Sequence, residues 1–91
     1  MREWNEEKRF LTLEKRGLDF IYSTIVFAGE TYNFPDDGKD YGEPHTITIG
    51  FLITRMIVII WTPRGDNRRI ISMRKANEQE YEEYIVKFSG Q

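Results

Sequence analysis

The sequence has no cysteine and a single histidine. The first absence removes disulfides and thiolate metal sites, and the second removes the imidazole sets that usually hold zinc. No apolar run approaches the roughly 20 residues that cross a bilayer, and the opening Met1-Arg2-Glu3-Trp4-Asn5 lacks the apolar centre of a secretory signal. A cytoplasmic location without membrane contact is expected. Low-complexity tracts, linkers and internal repeats are missing as well. A large charge of one sign is also absent: 13 Lys and Arg against 15 Asp and Glu give a formal net charge of −2. Bulk charge therefore does not draw the chain nonspecifically to nucleic acid.

What is present fits one compact domain spanning residues 1–91, small enough that a partner covering an apolar face would add markedly to its stability. The charges are uneven. Acids gather in Asp36-Asp37-Gly38-Lys39-Asp40-Tyr41-Gly42-Glu43 and near the C-terminus, whereas Arg64, Arg68, Arg69, Arg74 and Lys75 fall close together. A local basic site on a mildly acidic protein is expected. The acids at Asp36, Asp37 and Asp40 do not follow calcium-loop spacing, so no metal site and no cofactor are expected.

Asn5 caps a helix expected to reach Arg16, with Glu6 and Glu7 in its positively polarised first turn and Gly17 past its end. A second, shorter helix is expected from a cap at Asp19 to Gly29, with Ile21, Ile25 and Ala28 on one side. Residues 31–34 read as a short strand ended by Pro35, followed by a loop over 36–44. Residues 45–51 alternate polar and apolar, and 56–61 are apolar throughout, as in a central strand covered on both faces. Between them, Ile53-Thr54-Arg55 offers no turn residue. Pro63-Arg64-Gly65-Asp66-Asn67 has strong turn chemistry and leads into a strand over 68–74 as a hairpin. Strict alternation there puts Arg69, Ile71 and Met73 on one side and Arg68, Ile70, Ser72 and Arg74 on the other. Asn77 with Glu80 starts a last helix whose Tyr81, Tyr84, Ile85 and Phe88 form one stripe, expected in the core. This order defines an α+β fold: two N-terminal helices, an antiparallel sheet of three to four strands, and a C-terminal helix.

Several segments resemble one family in order and spacing. Trp4-Asn5-Glu6-Glu7-Lys8 is similar to its Trp-Asp-Glu-x-Lys, and Lys15-Arg16-Gly17-Leu18-Asp19-Phe20 to its Lys-His-Gly-Val-x-Phe. Val26-Phe27, Gly42-Glu43 ahead of Ile47-Thr48-Ile49-Gly50, and Thr62-Pro63-Arg64-Gly65 follow. Arg69-Ile70-Ile71-Ser72-Met73-Arg74-Lys75-Ala76, similar to Arg-Ile-Ile-Ser-Ala-Arg-x-Ala, is the most specific piece, with Glu80 and Tyr84 after it. The family is the BrnT ribonuclease toxins of type II toxin–antitoxin systems. Arg16, Thr12, His45 and Pro63 stand where it usually has His, Asn, Arg and Glu. The resemblance implies a RelE-like fold and a ribonuclease that blocks translation. It also implies a ribbon-helix-helix antitoxin of BrnA type that neutralises the toxin and makes any DNA contact.

Metal-independent RNA cleavage needs a base, a proton donor and fixed positive charge, because the RNA's own 2′-hydroxyl attacks the phosphate. Arg64 and Arg74 are the candidates for the phosphate, since a guanidinium fork matches two phosphate oxygens. Glu43 can accept a proton, and His45 is the residue type that exchanges one near neutrality. Lys15, Arg16, Arg68, Arg69 and Lys75 are candidates for binding RNA. Lys15 and Arg16 are also explained as cations at the negative end of a helix dipole. The alternative is a non-catalytic, toxin-like module that binds an antitoxin in a DNA-bound repressor complex, a reading favoured by the replaced residues at 16 and 45.

Overall fold

The computed structural model describes residues 2–36 and 42–90, so most of the expected acidic loop lies outside the described residues. Helix α1 (Glu6–Arg16) starts and stops on the expected signals. The Asn5 side chain accepts from the Lys8 N–H at 3.1 Å, and the chain leaves the helix through Gly17 at φ 70°.

The second helical segment corrects the sequence expectation. Asp19 caps it, but its first turn is a 3-10 turn (Phe20–Tyr22), and only then does α2 (Ser23–Ala28) begin. The side turned inward is Phe20, Ser23 and Val26, each fully buried, while Ile21 and Ile25 are about half exposed and Ala28 is exposed. A 3-10 turn has three residues per turn, so the buried positions recur every third residue instead of at the expected spacing.

The sheet has five strands: β1 (Arg2–Trp4), β2 (Tyr32–Pro35), β3 (Thr46–Leu52), β4 (Arg55–Arg64) and β5 (Asn67–Lys75). Their spatial order is β1-β5-β4-β3-β2. Strands β2 to β5 pair antiparallel as expected, and β1 adds a short parallel edge against β5. Three residues are too few to show a period, which is why β1 left no mark on the sequence pattern. Pro35, without an N–H, closes edge strand β2. Both hairpins have two-residue loops with positive φ at the first position, supplied by Gly65 (φ 59°) and by Ile53 (φ 61°).

Each face of the sheet is covered, so the fold has three layers. Leu18, Phe20 and Val26 pack on Ile57, Ile59, Ile70 and Met73, with Trp4, Phe27 and Trp61 at the margin. On the other face Ile49, Met56 and Val58 meet Tyr84, Ile85 and Phe88 of α3 (Glu78–Phe88). The central strand β4 thus serves two cores, as its unbroken apolar run requires. Tyr81, expected in the α3 stripe, is 44% exposed instead. Gly50 lets α2 approach, since a Cβ there would meet the Val26 Cγ1 at 2.8 Å. Helix α3 begins with a full capping box: the Asn77 side chain accepts from the Glu80 N–H at 2.8 Å, and the Asn77 N–H donates to Glu80 Oε1 at 2.9 Å. Among the described residues no helix is long and apolar enough to cross a membrane.

One irregularity governs where the basic residues point. The β4–β5 register shifts between Ile60 and Trp61: Ile60 pairs with Ser72 and Trp61 with Ile70, leaving Ile71 as the extra residue of a bulge. Strict alternation along β5 therefore fails. Ile70 and Met73 share the α2 face although they stand three positions apart.

Candidate functional site

The β4–β5 hairpin end of the sheet assembles the first cluster. Thr46 pairs with Trp61, which places Thr62 beside the segment entering β3. The buried Thr62 hydroxyl donates to the Pro44 carbonyl at 2.6 Å, and the Asp36 N–H donates to the His45 carbonyl at 2.9 Å. Residues 43–45 are thus clamped between a central strand and the continuation of β2. Glu43 Oε2 lies 3.4 Å from His45 Nε2, and Glu43 Oε1 lies 3.8 Å from an Arg64 terminal nitrogen.

Exposure separates the roles of these three side chains. The His45 side chain is 6% exposed, Glu43 36% and Arg64 49%. A substrate in solvent meets the carboxylate and the guanidinium, and the imidazole stands behind the carboxylate. Arg69 belongs to the same region, because it pairs in register with Thr62.

The remaining candidates lie elsewhere. Arg68 takes the other face of β5, its guanidinium 4.2 Å from the Phe27 ring and 5.1 Å from the Trp61 ring. Stacking of this kind covers aromatic surface and holds α2 against the sheet. Arg74 is on the α3 face but grips Glu80 with two hydrogen bonds, at 2.7 and 2.8 Å. Its guanidinium holds the Glu80 carboxyl below the usual range, with the Asn77 N–H assisting against the opposing effect of burial. Lys75 is exposed at the far end of β5. Arg74 and Lys75 are therefore not brought together with Glu43, His45 and Arg64.

Lys15 and Arg16 line a groove of about 200 Å³ between α1 and β5, together with Lys8, Thr12, Ile71 and Ser72. Arg16 reaches across and donates to the Met73 carbonyl at 3.1 Å. Lys8 and Thr12 were not among the RNA-binding candidates read from the sequence, yet the signal was there: Lys8, Thr12 and Lys15 stand at i, i+4 and i+7 and so share one helix face. Ser72 carried no such mark, since its place depends on the bulge.

The fold thus presents a carboxylate beside an arginine at one end of the sheet, and three further cations in a groove. The family model for the BrnT ribonuclease toxin of type II toxin–antitoxin systems matches residues 4–80, and the chain belongs to that family. No curated protein matches the chain.

Proposed function

We propose that this ribonuclease toxin is an endoribonuclease that cuts RNA without a metal ion, and that Glu43 and Arg64 carry the reaction. The supporting observation is the Glu43 carboxylate, exposed to solvent and held between His45 and Arg64. Glu43 takes the proton of the RNA 2′-hydroxyl as its oxygen attacks the adjacent phosphorus. Arg64, with Arg69 nearby, offsets the charge gained by the equatorial phosphate oxygens. The bond to the 5′-oxygen breaks, a proton from water or from the newly protonated Glu43 neutralises that oxygen, and a 2′,3′-cyclic phosphate remains. His45 is a positioning residue, since its ring fixes the carboxylate. Arg74 acts at one remove by anchoring α3 through Glu80. Among the described residues no group of three or more His, Asp or Glu side chains is placed to hold a metal ion. The test is cleavage of RNA by purified protein in EDTA, with Glu43→Gln and Arg64→Ala each expected to slow it about tenfold or more.

The proposal extends to regulation. Cleavage blocks translation, and a BrnA-type ribbon-helix-helix antitoxin neutralises it while making any DNA contact. An amphipathic antitoxin segment suits the apolar side chains left about half exposed on the N-terminal layer, among them Phe10, Leu13, Ile21 and Ile25. Co-expression with the product of the neighbouring reading frame should yield a stable complex; separation of the two at micromolar concentration would refute it. The buried His45 and the engaged Arg74 are what favour the alternative, a toxin-like module that binds an antitoxin without cutting RNA.

A further inference from the structure

The groove between α1 and β5 stands apart from the Glu43 cluster, and the helix dipole does not account for it. Cations at the C-terminal turn of α1 are favourable there, which covers Lys15 and Arg16. Lys8 is in the first turn of the same helix, at the positive end, where a cation is disfavoured. All three nevertheless line the same cavity. Arg16 is held by the Met73 carbonyl, while neither Lys8 nor Lys15 has an acidic partner among the described residues. The walls add two half-buried hydroxyls, Thr12 and Ser72, and two apolar side chains, Leu11 and Ile71. Ile71 is the bulged residue, so the wall facing α1 exists because the sheet is irregular at that point.

We infer that this groove binds one phosphate of the RNA strand away from the cut bond. In it, Lys8 and Lys15 hold the phosphate, the Thr12 and Ser72 hydroxyls donate to it, and the adjoining base rests on Leu11 and Ile71. Ser72 follows Arg69 by three residues on β5, roughly 10 Å at about 3.3 Å per residue, so a single strand reaches from Arg64 and Arg69 into the groove. The inference rests on the ribonuclease reading, and it makes the groove the subsite that sets how long a substrate must be.

The test measures binding apart from cleavage, using a labelled 2′-O-methyl RNA hexanucleotide, which lacks the attacking hydroxyl. Lys8→Gln/Lys15→Gln should weaken binding about tenfold or more. It should also reduce the slope of log affinity against log salt by about 0.7, the share of one single-strand phosphate. The parent should bind the hexanucleotide more tightly than a dinucleotide, and the double variant should lose that advantage. Arg55→Gln, which removes a cation at the opposite hairpin, should change none of this. Unchanged affinity and salt slope in the double variant, or a parent that does not bind the oligonucleotide, overturns the inference. So does a double variant that binds RNA normally but loses the antitoxin, because the groove would then be a protein-docking surface. If groove variants weaken binding while no protein cuts RNA, the groove stands and the ribonuclease reading falls. If Glu43→Gln abolishes cutting while groove variants bind as the parent does, the reverse holds.

Discussion

Arg74 and Glu80 show how one residue pair answers two structural demands. The Glu80 carboxylate completes the capping box of α3 and receives both Arg74 hydrogen bonds. With its folded pKa depressed, Glu80 contributes stability that is fully present above the ordinary carboxylate value, about 4.3, and is lost as pH falls through the lower folded value. Asp19, lowered chiefly by its hydrogen bonds with Arg9, acts in the same direction and the same acid window. Stability measured by urea unfolding should therefore fall as pH drops below about 4. Arg74→Ala should cost about 0.5–1 kcal/mol at neutral pH, the scale of a partly exposed ion pair, and should flatten the acid dependence. An Arg74→Ala protein with unaltered stability and pH profile would show that the pair anchors nothing. Neither ion pair was evident in the sequence, because partners six and ten residues apart meet only after a strand-to-helix turn and a helix end have formed.

At the scale of elements, the two hairpins differ in the residue that makes the turn. Gly65 supplies positive φ at no steric cost, and that turn was evident in the sequence. Ile53 takes the same backbone region with a β-branched side chain 83% exposed, and so offered no turn signal. Left-handed backbone costs such a residue about 1–2 kcal/mol, so Ile53→Gly should raise stability by about 1 kcal/mol, read from the urea midpoint at unchanged slope. A loss of stability would mean that the turn is not strained. The helices followed a similar division. Asn5, Gly17, Asn77 and Glu80 are local signals and placed both ends of α1 and the start of α3. The inward side of α2 was misplaced because the preceding 3-10 turn changed its period. The β5 bulge was equally hidden, yet it puts Arg74 on the same face as Arg69 and opposite Arg68, which stacks on Phe27.

For the whole molecule, layering turns a scattered set of charged residues into two places where RNA is proposed to act. Local sequence could bring Glu43 and His45 near one another, but only the β3–β4 pairing adds Arg64, and only the packing of α1 on β5 makes the groove. The chemistry of RNA cleavage named the candidates, and the sheet separated Arg64 from Arg74. The account turns on the Glu43 carboxylate acting with Arg64 on the RNA's own 2′-hydroxyl. The measurement that tests it most directly is the 3′-end chemistry and rate of RNA cleavage in EDTA by the parent protein, Glu43→Gln and Arg64→Ala. Each variant is first shown to be folded by circular dichroism. The account predicts 2′,3′-cyclic phosphate ends from the parent and cutting slowed about tenfold or more in each folded variant. Folded variants that cut at the parent rate, or a parent that cuts nothing, would contradict it.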